Sequence, residues 1–194
     1  LDALKHRDPS LASRVIKDDQ LINDRRYAIE NAILIVIATQ QPVAHDLRVM
    51  AAMLEINIEL ERMGDYAKGI GQVVQRLDNV KITIPVDELI DMGNKAVNML
   101  HRSLHAFVRE DSNTANLIIR EDDLIDDLYN RVERLIFDNM IATPTYIDYT
   151  TLLMWVAHNI ERTADRVTNI CERTIFITTG ELFELEATDD DDPE

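Results

Sequence analysis

Apolar residues recur along two long stretches of this chain in alternating steps of four and three. The first run is Val49, Met53, Ile56, Leu60, Met63, Ala67, Ile70, Val74 and Leu77. The second is Tyr149, Leu153, Val156, Ile160, Thr163, Val167, Ile170, Thr174 and Ile177. An α-helix turns once in about 3.6 residues, so each row keeps to one face. The pattern predicts two long helices that bury a seam in an antiparallel bundle. Punctuation places the other elements. Asp8-Pro9 and Thr143-Pro144 each pair a capping residue with a proline suited to a first turn, and Pro42 and Pro85 mark two more starts. The spacing predicts helices over 9–39, 42–78, 86–110, 112–141 and 145–179, a stub at 1–7, and a helix stop at Gly180. The only β-like stretch, Val80-Lys81-Ile82-Thr83-Ile84, falls in the linker 78–85 and reads as an extended connection.

The two halves echo one another. Glu61-Arg62-Met63-Gly64-Asp65 is answered by Glu161-Arg162-Thr163-Ala164-Asp165, displaced by 100 residues. Upstream, Val15-Ile16-Lys17-Asp18-Asp19-Gln20-Leu21-Ile22-Asn23-Asp24 matches Ile118-Ile119-Arg120-Glu121-Asp122-Asp123-Leu124-Ile125-Asp126-Asp127 at a displacement of 103. The three-residue difference is expected in the turn before Pro144. A duplication over most of the chain follows, with a first helical repeat at 1–80, a second at 81–180 and an acidic tail at 181–194. At the same displacement, 86–103 has no counterpart ahead of Leu1, and the chain opens on Leu, not Met. The expectation is a truncated or processed fragment lacking the first helix of its first repeat.

Composition narrows the class. The 194 residues include five Gly and five Pro, sparse punctuation that favours few, long helices, so the fold class expected is all-α. The apolar run 32–38 is far short of the ~20 residues of a membrane span. A lone cysteine, Cys171, forms no intrachain disulfide, which fits a reducing, cytoplasmic compartment. The formal charge of −16 argues against nucleic acid, because phosphates require a basic face. Part of that charge sits in the tail, read as a disordered, solubilising end.

The acids carry the candidate chemistry. Residues four apart share a helix face about 5–6 Å apart at Cβ, so two carboxylates there repel unless a cation stands between them. Glu61 and Asp65 continue an apolar row of Ala51, Leu54 and Ile58; Glu161 and Asp165 continue Thr151, Met154 and His158. These acids therefore border the core stripe, where a carboxylate takes a partner or a raised pKa. On the preceding helices Asp19 and Asn23 are four apart, as are Asp122 and Asp126. Antiparallel packing sets each pair beside a Glu-Asp pair, giving two clusters of oxygen ligands suited to hard cations. Asn23 stands where its repeat mate is acidic, which weakens the first site. His158 reads as a half-buried histidine beside the second cluster. Arg62 and Arg162 read either as partners of neighbouring acids or as anion contacts.

At these residues the chain resembles a known family. Val15 to Asp24, Gln41-Pro42 to Leu47-Arg48 and Glu61-Arg62-Met63-Gly64-Asp65 look like the first repeat of the PhoU family. Ile160-Glu161-Arg162-Thr163-Ala164-Asp165-Arg166-Val167-Thr168-Asn169-Ile170-Cys171-Glu172 is similar to its second repeat. The resemblance covers about 1–180. It implies two three-helix bundles in tandem and a negative regulator of the phosphate-starvation response. Such a regulator binds multinuclear metal clusters through its acidic motifs. It implies as partners the ATPase subunit of a phosphate ABC transporter and a sensor histidine kinase, so that the chain meets the membrane only through them. The ligands implied are Asp19, Glu61 and Asp65 in one half and Asp122, Asp126, Glu161 and Asp165 in the other. The metal is left open among iron, manganese, zinc and magnesium. A homodimer is expected, with a neighbouring chain filling the groove of the incomplete first bundle.

Two other readings remain at this point. One is a helical scaffold whose acids are merely solvated. The other is a carboxylate-bridged di-iron enzyme, which bundles usually build on Glu-x-x-His pairs. None of the five histidines has a Glu three residues before it, and no nucleophile–base constellation or phosphate-binding glycine loop is visible.

Overall fold

The computed structural model describes residues 1–77 and 86–181. The expected linker 78–85 and nearly all of the acidic tail lie outside the described residues. Among the described residues there are helices and no strands. They are α1 (Asp2–His6), α2 (Pro9–Gln40), α3 (Ala44–Arg76), α4 (Val86–Arg109), α5 (Ser112–Ile119), α6 (Asp122–Ala142) and α7 (Ile147–Thr179), with a 3-10 turn at Pro144–Tyr146 ahead of α7.

The repeat is written into the backbone. Arg7 and Glu110 both take the left-handed conformation, at φ 48° and 53°. The next residue in each case caps a helix. Asp8 Oδ1 accepts from the Ser10 and Leu11 N–H groups at 2.8 and 3.0 Å, and Asp111 Oδ1 accepts from the Thr114 N–H at 3.0 Å. Each carboxylate satisfies donors that the first turn leaves unpaired. The 103-residue displacement therefore places α1 on the last turn of α4 and α2 on α5–α6. The last long helix ends where expected, on Gly180 at φ 80°, whose N–H returns to the Phe176 carbonyl at 2.8 Å.

One expected element is broken. The continuous helix read over 112–141 is two helices, because Arg120 and Glu121 form a turn. Nothing local breaks it, since neither residue is a glycine or proline. Glu121 is drawn toward α4 by a two-pronged ion pair, with Arg102 Nη1 and Nη2 donating to its carboxylate at 2.6 and 2.8 Å. The turn leaves Asp122 at the first position of α6. Helix α3 begins at Ala44, two residues after Pro42.

The two seam helices, α3 and α7, run antiparallel at the centre of the molecule. Contacts along their length record this. Arg166 meets Glu59 at 3.3 Å and Arg173 pairs with Glu55. The Arg162 guanidinium stands 5.8 Å from the Tyr66 ring centre, and Arg48 donates to the Ile177 carbonyl at 3.3 Å. A Cβ on Gly69 would collide with the Trp155 ring, so that glycine admits the indole. Helix α2 lies on the outer side of α3, and α4 to α6 lie against α7.

Burial of the seam differs between halves. On α7, Leu153, Val156, Ile160, Val167, Ile170, Thr174 and Ile177 are all buried, roofed by α4. On α3, Ile56, Met63, Val74 and Leu77 are buried, but Leu60 and Ile70 are half-buried and Ala67 is exposed. Only the short α1 and the edge of α4 reach over this face. An apolar groove of about 410 Å³ remains, lined by Leu4, Val15, Leu60, Ile70 and Leu100 among others. Along α2, Leu21, Tyr27, Ile29, Leu34 and Ile35 are exposed.

Candidate functional site: two unequal carboxylate clusters

Antiparallel packing of α6 on α7 brings the second-half acids together. Asp122 and Asp126 lie one turn apart on α6, and Glu161 and Asp165 one turn apart on α7. Burial pushes the Asp122 carboxyl up to about 7, helped by the charges of Asp126, Asp165 and Asp123. Burial likewise raises Glu161 to about 7, with Asp165, Asp126 and Asp122 adding to it. Asp126 is raised by burial and then by Asp165. Asp165 is raised by burial although Arg166, Arg162 and His158 pull against the shift. Four acids that hold their protons too tightly mark a place where negative charge lacks compensation.

Hydrogen bonding says the same. Among the described residues, two buried carboxylate oxygens have no hydrogen-bond partner, Asp122 Oδ1 and Glu161 Oε2, and both belong to this cluster. His158 Nδ1 comes within 3.3 Å of Glu161 Oε2 without hydrogen-bond alignment, and its side chain is 49% exposed, tilted against the Tyr129 ring at 6.4 Å. The N-terminus of α6 helps Asp122 bear a charge, because unpaired N–H groups give that end a partial positive potential. No group of three His, Cys, Asp or Glu side chains among the described residues stands preassembled as a metal cage. The mutual pressure among the four acids and the absence of a preformed cage are compatible. Asp126 itself is exposed on the surface of α6. The oxygen chemistry and the stranded oxygens fit a hard divalent cation. Burial pushes the nearby Cys171 thiol up to about 12.

The first-half acids meet a different environment. Asp19 is buried on α2, and Lys68 from α3 donates to its Oδ2 at 2.7 Å. The Asn23 side-chain amide donates to the same oxygen at 3.3 Å. Lys68 also stands 4.0 Å from Asp65 Oδ1. Its pKa is raised, first by the hydrogen bond to Asp19 and, after an opposing effect of burial, by the charges of Asp19, Asp65 and Glu61. Packing thus links Asp19 to Asn23 and Lys68 and sets Asp65 4.0 Å from the same ammonium, while Glu61 acts on it only through its charge. Lys68 escaped the sequence reading. Its signal was available: Lys68 follows Asp65 by three residues, a helix-neighbour spacing, whereas the equivalent position after Asp165 is Thr168.

The arginines beside each Glu make different contacts, Arg62 within its own helix and Arg162 across to α3. Arg62 donates to Glu59 at 3.1 Å, and Arg162 lies over Tyr66.

Comparison with known proteins places this geometry. The PhoU domain model matches residues 1–74 and again 89–174. A phosphate-specific transport system accessory protein PhoU homolog from Clostridium acetobutylicum is 36% identical over 95% of this chain and 85% of its own length. The phosphate-specific transport system accessory protein PhoU of Escherichia coli is 33% identical over 94% of this chain and 76% of its own. Among solved structures, the phosphate transport system regulatory protein PhoU from Streptococcus pneumoniae superimposes with a TM-score of 0.87 at 31% identity, covering 94% of this chain and 86% of that one.

Proposed function

The chain belongs to the PhoU family, and from that premise we propose that it is a non-enzymatic accessory regulator of phosphate uptake whose second-half carboxylate cluster holds a metal ion. The names of its relatives, accessory and regulatory proteins of phosphate transport, support the regulatory part. The observation that carries the metal part is the pair of stranded oxygens, Asp122 Oδ1 and Glu161 Oε2, inside a group of four carboxylates. Asp122 and Asp126 from α6 and Glu161 and Asp165 from α7 are the ligands of this reading. Manganese and magnesium suit the all-oxygen set best; iron and zinc are the other occupants in view. A bound cation supplies positive charge where α6 and α7 otherwise repel, which stiffens the outer face of the second bundle.

The partners of this reading are the ATPase subunit of a phosphate ABC transporter and a sensor histidine kinase. The chain acts in the cytoplasm and reaches the membrane through them; among the described residues no helix is long and apolar enough to cross it. A second copy of the chain is the further partner, offered the exposed apolar face of α2. The test is binding of purified chain to the ATPase subunit and to the kinase, with and without added Mn²⁺. Saturable binding to either, weakened in Asp122→Asn/Glu161→Gln at unchanged helix content, is expected. Absence of affinity for both in the presence of metal would remove the regulatory reading.

A further inference from the structure

The two acid clusters arose by duplication, yet they differ in one element of charge. In the second half two buried carboxylate oxygens, Asp122 Oδ1 and Glu161 Oε2, lack hydrogen-bond partners. In the first half Lys68 donates to Asp19 at 2.7 Å and stands 4.0 Å from Asp65. Asp19 is the deepest of them, with its side chain only 8% exposed. A carboxylate there is costly unless a cation or several donors meet it. It has both: the Lys68 ammonium at 2.7 Å and the Asn23 amide at 3.3 Å, on the same oxygen. Among the described residues, no buried oxygen of the first cluster lacks a hydrogen-bond partner. Thr168, the repeat mate of Lys68, carries no charge and turns its hydroxyl to its own helix, donating to the Asp165 carbonyl at 2.7 Å.

We propose that Lys68 is the resident cation of the first cluster and excludes metal from it, so that the duplicated sites have divided into one lysine-locked structural site and one metal site. The metal half of this statement rests on the reading given under Proposed function; the lysine half stands on its own contacts. Two substitutions act together in it. Asn23 stands where the second half has Asp126, which lowers the negative charge, and Lys68 stands where the second half has Thr168, which supplies positive charge. An ion entering the first cluster would have to displace an ammonium already hydrogen-bonded to its deepest ligand. The lysine also links α3 to α2 through Asp19.

The experiment is Mn²⁺ titration of metal-stripped full chains. Free ion is read by electron paramagnetic resonance, bound ion number by native mass spectrometry, and fold by circular dichroism. Asp122→Asn/Glu161→Gln is expected to lose Mn²⁺ binding. Adding Lys68→Thr to it is expected to restore binding, at least about tenfold tighter than in the parent, and to make melting temperature rise with Mn²⁺. Asp65→Asn should abolish the gain, and Lys68→Arg should not produce it. Retention of Mn²⁺ by Asp122→Asn/Glu161→Gln, removed only by Glu61→Gln/Asp65→Asn, would overturn the proposal, because the first cluster would then bind metal beside Lys68. A natively helical Lys68→Thr chain that gains nothing would overturn it as well. Gain in Lys68→Thr from an unsubstituted chain that binds no Mn²⁺ would uphold the lysine lock while removing the metal reading of the second cluster.

Discussion

Asp122 and Glu161 are carboxyls whose folded values, both about 7, lie well above those of an unfolded chain. Unfolded Asp and Glu titrate near ~3.9 and ~4.3. Between about pH 4 and pH 7 the folded metal-free protein therefore holds protons that the unfolded chain has released, and stability falls as pH rises through that window. Asp126 and Asp165 add to the effect in the same sense, and Arg162 opposes it at Glu161. The expected outcome is a melting temperature for metal-free protein that is higher at pH 5.5 than at pH 8. Mn²⁺ added at pH 8 should recover the difference, because it binds the ionised form. Asp122→Asn/Glu161→Gln should flatten both responses. A melting temperature that climbs from pH 5.5 to 8 without metal would contradict the account. The position of the acids at this scale was legible, since a four-residue step on a helix is fixed by its pitch. Their charge balance was not. It depends on Lys68 reaching across to Asp19 from another helix, and nothing in the α2 sequence announces that.

At the scale of elements, the four-three seam of α7 is buried almost throughout, as its spacing predicted, because α4 covers it. The identical pattern on α3 is covered only in part. Periodicity states which face is apolar; it does not state what lies upon that face. Leu153→Ala removes a side chain with no exposure and is expected to cost about 2–5 kcal/mol. Leu60→Ala, at the mouth of the groove, should cost less than half as much, because its side chain is already half in solvent. Urea unfolding of the two variants checks the ratio. The break between α5 and α6 was invisible for the converse reason. Arg120 and Glu121 are good helix formers, and the chain turns where Glu121 pairs with Arg102 on α4. The duplication, by contrast, was readable down to its joints, where Asp8 and Asp111 cap equivalent helices after left-handed residues.

For the whole molecule, the antiparallel α3–α7 pair is the spine that joins the halves and sets each acid cluster on an outer helix pair. Glu59 holds the spine from inside, taking Arg62 and Arg166 with its own side chain only 13% exposed. Glu59→Ala would leave Arg166 without that carboxylate, and its Nε already lacks a partner. A loss of about 1.5–3 kcal/mol is expected, with the melting transition remaining single if the halves unfold together. Two separate calorimetric transitions in the unsubstituted chain would contradict a shared spine. The family assignment explains why the spine is duplicated at all. Two similar bundles packed through equivalent helices present two outer faces, and only one of them is left with uncompensated charge.

The most direct measurement is elemental analysis of gently purified protein beside two double variants, Glu161→Ala/Asp165→Ala and Glu61→Ala/Asp65→Ala. The account predicts bound manganese, iron, zinc or magnesium that is lost in the first variant and kept in the second. Protein that stays metal-free after repletion, or metal that survives loss of Glu161 and Asp165, would contradict it.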